Sequence, residues 1–140
     1  MRSMLPRSVL FAAGSVLAGC AGPNAQQQWE RARSADSAGA QVYDAECASC
    51  HGATGTGARG VPELVGPGAL RLHGPKRQPF RTAQDVFDYT SREMPLPPKY
   101  KGSLAEKDYW SVVSFLVRAK GFAVPDGGLS PANARSVQIN

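Results

Sequence analysis

Apolar side chains along this chain gather into three stretches with helical spacing, separated by segments rich in glycine and proline. In the first, Gly39, Val42, Tyr43 and Glu46–Cys47 recur at helical intervals, which predicts a helix from Gly39 to Cys50. Gly39 stands one turn before Tyr43, where a second helix can approach closely. Such packing offsets the intrinsic cost of a helical glycine. The second stretch opens at Thr82–Ala83–Gln84–Asp85, a capping side chain with an acid in the first turn. It continues through Val86, Phe87, Tyr89 and Thr90 and must stop near Met94, because Pro95, Pro97 and Pro98 follow. The third, Leu104 to Lys120, carries the broadest apolar face: Trp110, Val113, Leu116 and Val117, with Val112 and Phe115 beside them. Ser103–Leu104–Ala105–Glu106 reads as its capping box, and Gly121 after Lys120 as its C-cap. This helix is expected to cross the Gly39–Tyr43 face.

The ends of the chain follow other patterns. Arg2 and Arg7 precede a short apolar run, Val9 to Leu17, so residues 1–19 read as a secretory signal too short to span a membrane. Leu17–Ala18–Gly19–Cys20 resembles a bacterial lipobox, which implies that Cys20 is acylated and anchors the mature chain to a membrane. Ordinary cleavage beside an incidental cysteine is the plainer alternative. Ala21 following Cys20 is not the aspartate associated with inner-membrane retention, which leaves open which membrane is used. Residues 20–37, poor in apolar side chains, read as a flexible tether. Trp29 is the exception there, either docked on the domain or lying in the lipid interface. The tail, residues 122–140, holds Pro125, Gly127–Gly128 and Pro131 and is expected to wrap the surface or fray.

A length of 140 residues points to one small domain, taken as residues 38–121, whose modest core a bound cofactor would help to fill. The formal charge of +5 includes Arg2 and Arg7 of the signal, so the remaining surface is only mildly basic and nucleic acid is excluded as a partner. Three cysteines, an odd number, do not make a disulfide framework.

Two of them belong to Cys47–Ala48–Ser49–Cys50–His51, a C-x-x-C-H stretch, the signature of covalent c-type haem attachment. Two cysteines three apart share one face of a helical turn and can meet two vinyl groups on the same porphyrin edge. His51 then reaches the iron as proximal ligand. The following glycines (Gly52, Gly55, Gly57, Gly60) lack the Gly–Lys–Ser/Thr ending of a phosphate loop and follow no strand, so they are read as letting backbone pass near the porphyrin. A ligating histidine commonly donates its second ring N–H to a backbone carbonyl, and residues around Pro62 stand where they can supply it. Leu64 is a candidate apolar haem contact. Met94 is the only methionine outside the signal, on a proline-braced loop.

In its order of C-x-x-C-H helix, glycine-rich loop with Pro62, later Met–Pro and C-terminal amphipathic helix, the stretch from Gly39 to Gly121 resembles a class I cytochrome c. The resemblance implies an all-α fold, with three to four main helices around one covalently bound haem c. It implies thioethers at Cys47 and Cys50, His51 and Met94 as the axial iron ligands, and a helix crossing near Gly39, Tyr43 and Trp110. More loosely, Asp108 to Leu116 is similar to cytochromes that serve periplasmic quinoprotein alcohol dehydrogenases. With Met/His ligation no coordination position stays open to substrate, which favours an electron carrier over an enzyme. The expected role is a lipid-anchored cytochrome on the periplasmic side of a bacterial membrane. It would move single electrons from a donor dehydrogenase to a respiratory-chain acceptor. A cytochrome subunit of a dehydrogenase or oxidase complex would share this chemistry. A dithiol enzyme should show a βαβ pattern, which is missing, and adjacent Cys50 and His51 are awkward joint ligands for one zinc ion that also used Cys47 and His73. His73 is the rival distal ligand, and Lys76, Arg77, Arg81, Lys99 and Lys101 are candidates for steering an acidic partner.

Overall fold

A computed structural model describes residues 24–73 and 77–139. The signal segment, Cys20 and Lys76 lie outside the described residues. The architecture is all-α. Among the described residues five α-helices run in the order α1 (Ala25–Ala35), α2 (Ser37–Glu46), α3 (Ala48–His51), α4 (Ala83–Glu93) and α5 (Glu106–Ala119). A short antiparallel ladder pairs β1 (Leu72–His73) with β2 (Gln78–Pro79). No helix among the described residues is long and apolar enough to cross a membrane.

The first helix corrects the tether expectation. Residues 25–35 are helical because Asn24 and Gln27 form a reciprocal capping box, Asn24 Oδ1 accepting the Gln27 N–H at 2.9 Å and Gln27 Oε1 the Asn24 N–H at 3.0 Å. Trp29 and Ala32, one turn apart, give α1 a narrow buried stripe. The Trp29 ring meets Tyr43 and Phe115 edge-on, with centroids 4.9 and 4.8 Å away. One large aromatic thus supplies the burial that the polar composition conceals. Asp36 links α1 to α2, and its carboxylate accepts the Gly39 N–H at 2.9 Å.

Helices α2 and α5 cross at Gly39. A Cβ there would stand 2.3 Å from the Ser111 carbonyl oxygen and 2.6 Å from Phe115 Cβ. Trp110, expected at this crossing, faces α4 instead and stacks on Phe87 with ring centroids 3.6 Å apart. The helix expected from Gly39 to Cys50 is offset at Cys47, where α2 ends and the single turn α3 follows.

Helix α5 is the centre of the fold. Tyr109, Trp110, Val112 to Val117 and Ala119 are all buried, because α1, α2, α4 and the tail surround it. The capping box expected at Ser103 does not form. Ala105 is the N-cap without a side-chain bond, the Ser103 N–H donates to the Tyr100 carbonyl, and Glu106 accepts the Trp110 indole N–H at 3.2 Å. Helix α4, in contrast, starts with the Thr82/Asp85 box and ends at Glu93, with Met94 as its C-cap.

The tail does not fray. Val124, Leu129, Ala134 and Ile139 are buried, and the buried Ser114 hydroxyl accepts the Leu129 N–H at 2.8 Å. The carbonyls of Val137 and Ala134 accept the N–H groups of Ala83 and Gln84 at 2.9 and 3.2 Å. The tail therefore satisfies two of the donors that the first turn of α4 leaves open.

Candidate haem site

A cleft of about 380 Å³ opens between α3, the loop after it, α4 and α5. Cys47, Cys50, His51, Pro62, Leu64 and Met94 all line it. Leu70, Phe80, Val86, Val112 and Leu116 supply apolar wall.

His51 ends α3 and is only 8% exposed. Its N–H donates to the Cys47 carbonyl and its carbonyl accepts the Gly57 N–H, both at 2.9 Å. Its Nδ1 lies 3.0 Å from the Pro62 carbonyl oxygen. With the proton on Nδ1, the imidazole donates there and Nε2 keeps its lone pair for a metal. The loop that presents Pro62 is zipped by its own backbone. Gly55 O accepts the Leu64 and Val65 N–H groups at 2.7 and 3.0 Å, and Ala58 bridges Val61. At Gly57 (φ +79°) a Cβ would fall 2.8 Å from the Val61 carbonyl oxygen. The glycine at 57 is thus required by the loop's close backbone approach to itself. The Tyr43 hydroxyl donates to Gly52 O at 2.6 Å and pins the start of the loop to α2.

The two thiols sit differently. Cys47 is half-buried and Cys50 exposed, and neither is in a disulfide. Burial, reinforced by the nearby Glu46 and Cys50, pushes the Cys47 thiol up to about 12. That is the reverse of the acidified thiol a dithiol enzyme uses. Among the described residues no three His, Cys, Asp or Glu side chains gather to hold a metal ion.

Met94 is held by its backbone from three directions. Its N–H donates to Thr90 O at 3.0 Å, and its carbonyl accepts the Gly102 N–H at 3.2 Å and the Tyr109 hydroxyl at 2.7 Å. Tyr109, only 3% exposed, makes this contact although no sequence motif marks it. Its signal was a phenol on the most strongly apolar helix, since a buried hydroxyl needs an acceptor. His73 lies in β1, its backbone paired with Gln78. Of the basic residues, Arg77 lines the cleft, Lys101 pairs with Glu93, and the Lys99 ammonium sits over the Tyr100 ring at 4.8 Å.

Two thiols and an imidazole on one stretch of chain, a thioether on another, and apolar walls between them form a donor set suited to a covalently attached haem. The imidazole is already oriented by the Pro62 carbonyl. Fold and site together define a helical c-type haem protein. Residues 37–120 match the family described as Cytochrome c, so the chain belongs to the cytochrome c family. It is an electron-carrying haem protein, and Cys47, Cys50 and His51 fit the family's covalent haem motif. Among curated proteins and solved structures, none matches the chain. Helix α1 and the tail both lie outside the matched residues.

Proposed function

We propose that the chain is a class I monohaem cytochrome c, anchored through lipidated Cys20 on the periplasmic side of a bacterial membrane, that carries single electrons between a donor dehydrogenase and a respiratory-chain acceptor. The observation that carries this reading is the convergence of Cys47, Cys50, His51 and Met94 on one apolar cleft, with His51 Nδ1 already engaged by Pro62 O. A haem c bound there supplies one-electron exchange between ferric and ferrous iron, at a potential raised by a thioether–imidazole ligand pair. Cys47 and Cys50 would tether it, while His51 and Met94 would hold the iron. Leu64, Val112 and Leu116 would exclude water from it, and Tyr109 would hold the Met94 backbone in place. On the loose resemblance of the Asp108–Leu116 run, a periplasmic quinoprotein alcohol dehydrogenase would be the donor to try first. Arg77, Arg81, Lys99 and Lys101 would steer an acidic redox partner, and electron transfer should then slow as salt is added.

The test is to produce the full chain in cells that mature c-type cytochromes. A sharp α-band on reduction, haem retained on a denaturing gel and one haem per chain are the expected results. Cys20→Ser should move the protein from the membrane to the soluble fraction. A chain without covalent haem would overturn the reading. A variant that stays on the membrane would overturn the anchor alone. Copurification with a dehydrogenase or oxidase after mild detergent extraction would assign the chain to a complex rather than to a free-standing carrier.

A further inference from the structure

We infer that Trp29, on a helix outside the cytochrome c match, is a positioning residue for His51. It acts by backing the loop that brings the Pro62 carbonyl to the imidazole. The inference rests on the proposed role of His51 as haem ligand.

Trp29 is 1% exposed although the residues around it on α1 are mostly polar. Its indole lies directly against the loop as well as against the helices. A Cβ built on Gly55 would stand 3.0 Å from Trp29 Cζ3 and 3.0 Å from Val65 Cγ2. Gly55 in turn is the knot of the loop, because its one carbonyl accepts the N–H groups of both Leu64 and Val65. Those residues lie two and three positions after Pro62, and Gly57, two residues beyond Gly55, donates to His51 O. Trp29 also braces the loop indirectly, since its edge-on neighbour Tyr43 donates to Gly52 O. The indole thus supports the loop at Gly52 through Tyr43 and at Gly55 by contact. The Pro62 O–His51 Nδ1 bond hangs from the far side of the same knot.

Removing the indole leaves a gap behind Gly55, into which the loop can relax. The Pro62 carbonyl then moves off Nδ1. An imidazole that loses this acceptor is a weaker electron donor to its metal, which favours the ferrous state and raises the potential. A tryptophan that only filled the core would lower stability and leave the imidazole unchanged.

The experiment compares holoprotein carrying Trp29→Ala, Trp29→Phe and, as a control, Ile139→Ala. Ile139 is fully buried in the tail and does not line the cleft. Three quantities are read for each: the urea midpoint, the reduction potential, and the exchange rate of the His51 Nδ1 proton by NMR. Both alanine variants should lower the midpoint. Only Trp29→Ala should raise the potential and speed the exchange, by about tenfold for the loss of one hydrogen bond to an imidazole. Trp29→Phe, which keeps an aromatic face on Gly55, should recover part of both. A lowered midpoint with unchanged potential and exchange in Trp29→Ala would overturn the inference. If Trp29→Ala does not mature, Trp29→Phe and Trp29→Leu decide by the same readouts, and their failure to move either one overturns it. Absence of haem from the unmutated chain would count against the haem reading, which is a separate outcome.

Discussion

Gly39→Ala is the sharpest test of the packing, because local and tertiary effects have opposite signs there. On helix propensity alone the change should stabilise, by up to about 1 kcal/mol. The structure places the new methyl 2.3 Å from the Ser111 carbonyl oxygen and 2.6 Å from Phe115 Cβ, whereas ordinary contact begins at 3.4 Å. Neither obstacle can rotate away, since one is backbone and the other is the first atom of a side chain fully buried between Trp29 and Tyr43. Helix α5 must therefore retreat by about 1 Å, and overpacking of this kind costs about 1–3 kcal/mol. Because the overlap falls on backbone and on a buried Cβ, the upper end of that range applies, and the net expectation is a destabilisation of about 2 kcal/mol after the propensity gain is subtracted. With the urea dependence ordinary for a small protein, the midpoint falls by about 1 M. The assay is urea unfolding of the purified holoprotein followed by far-ultraviolet circular dichroism. An unchanged or raised midpoint would refute the close crossing of α2 and α5.

Three other outcomes are expected. Met94→Ala should abolish the weak near-infrared band of a sulfur–iron bond and lower the potential, as followed by absorption and redox titration, and a retained band would exclude Met94 as ligand. Ser114→Ala leaves the buried Leu129 N–H without its 2.8 Å acceptor, so the urea midpoint should drop by an amount equivalent to about 1–3 kcal/mol if the tail is docked, and stay put if it is not. The Arg33 guanidinium, bonded to both Asp44 oxygens, holds that carboxyl below the usual carboxylate range. Its stabilisation is full above about pH 4 and is lost as pH falls through the folded-state value. Both groups are partly exposed, so Asp44→Asn should cost less than about 1 kcal/mol at pH 7. Denaturation curves should show that difference closing in acid, and a difference that widened would contradict the sign.

What could be read from the chain without its fold was chemistry and punctuation carried by neighbours in sequence. The C-x-x-C-H spacing needs only one helical turn to bring Cys47, Cys50 and His51 to a common edge. Thr82 with Asp85 and the prolines after Met94 bound α4 by local hydrogen bonding and local sterics, and its observed limits, Ala83 and Glu93, follow them. The approach of α5 to Gly39 was also legible, because a glycine in an amphipathic helix implies a neighbour. Which residue meets it was not: Ser111 and Phe115 fill that place, and Trp110 turns to Phe87.

Where a side chain's partner lies far along the chain, periodicity was silent. Helix α1 looked like a tether because its burial rests on Trp29 and Ala32, whose value depends on Tyr43, Phe115 and Gly55 being brought to them. The Ser103 box looked sound by motif, yet Tyr109 claims that region, accepting the Leu104 N–H and donating to Met94 O. The tail looked loose because its anchors are single residues, each docking on a different element: Leu129 on Ser114, Val137 on Ala83, Ile139 on Arg81. A local pattern reports what a turn of helix can satisfy within itself. Orphan N–H groups, buried hydroxyls and isolated aromatics are satisfied only by groups that the fold brings from elsewhere. Tertiary structure alone therefore decided that α1 and the tail join the core, and that Tyr109 holds Met94 at the cleft whose chemistry the motif had already announced.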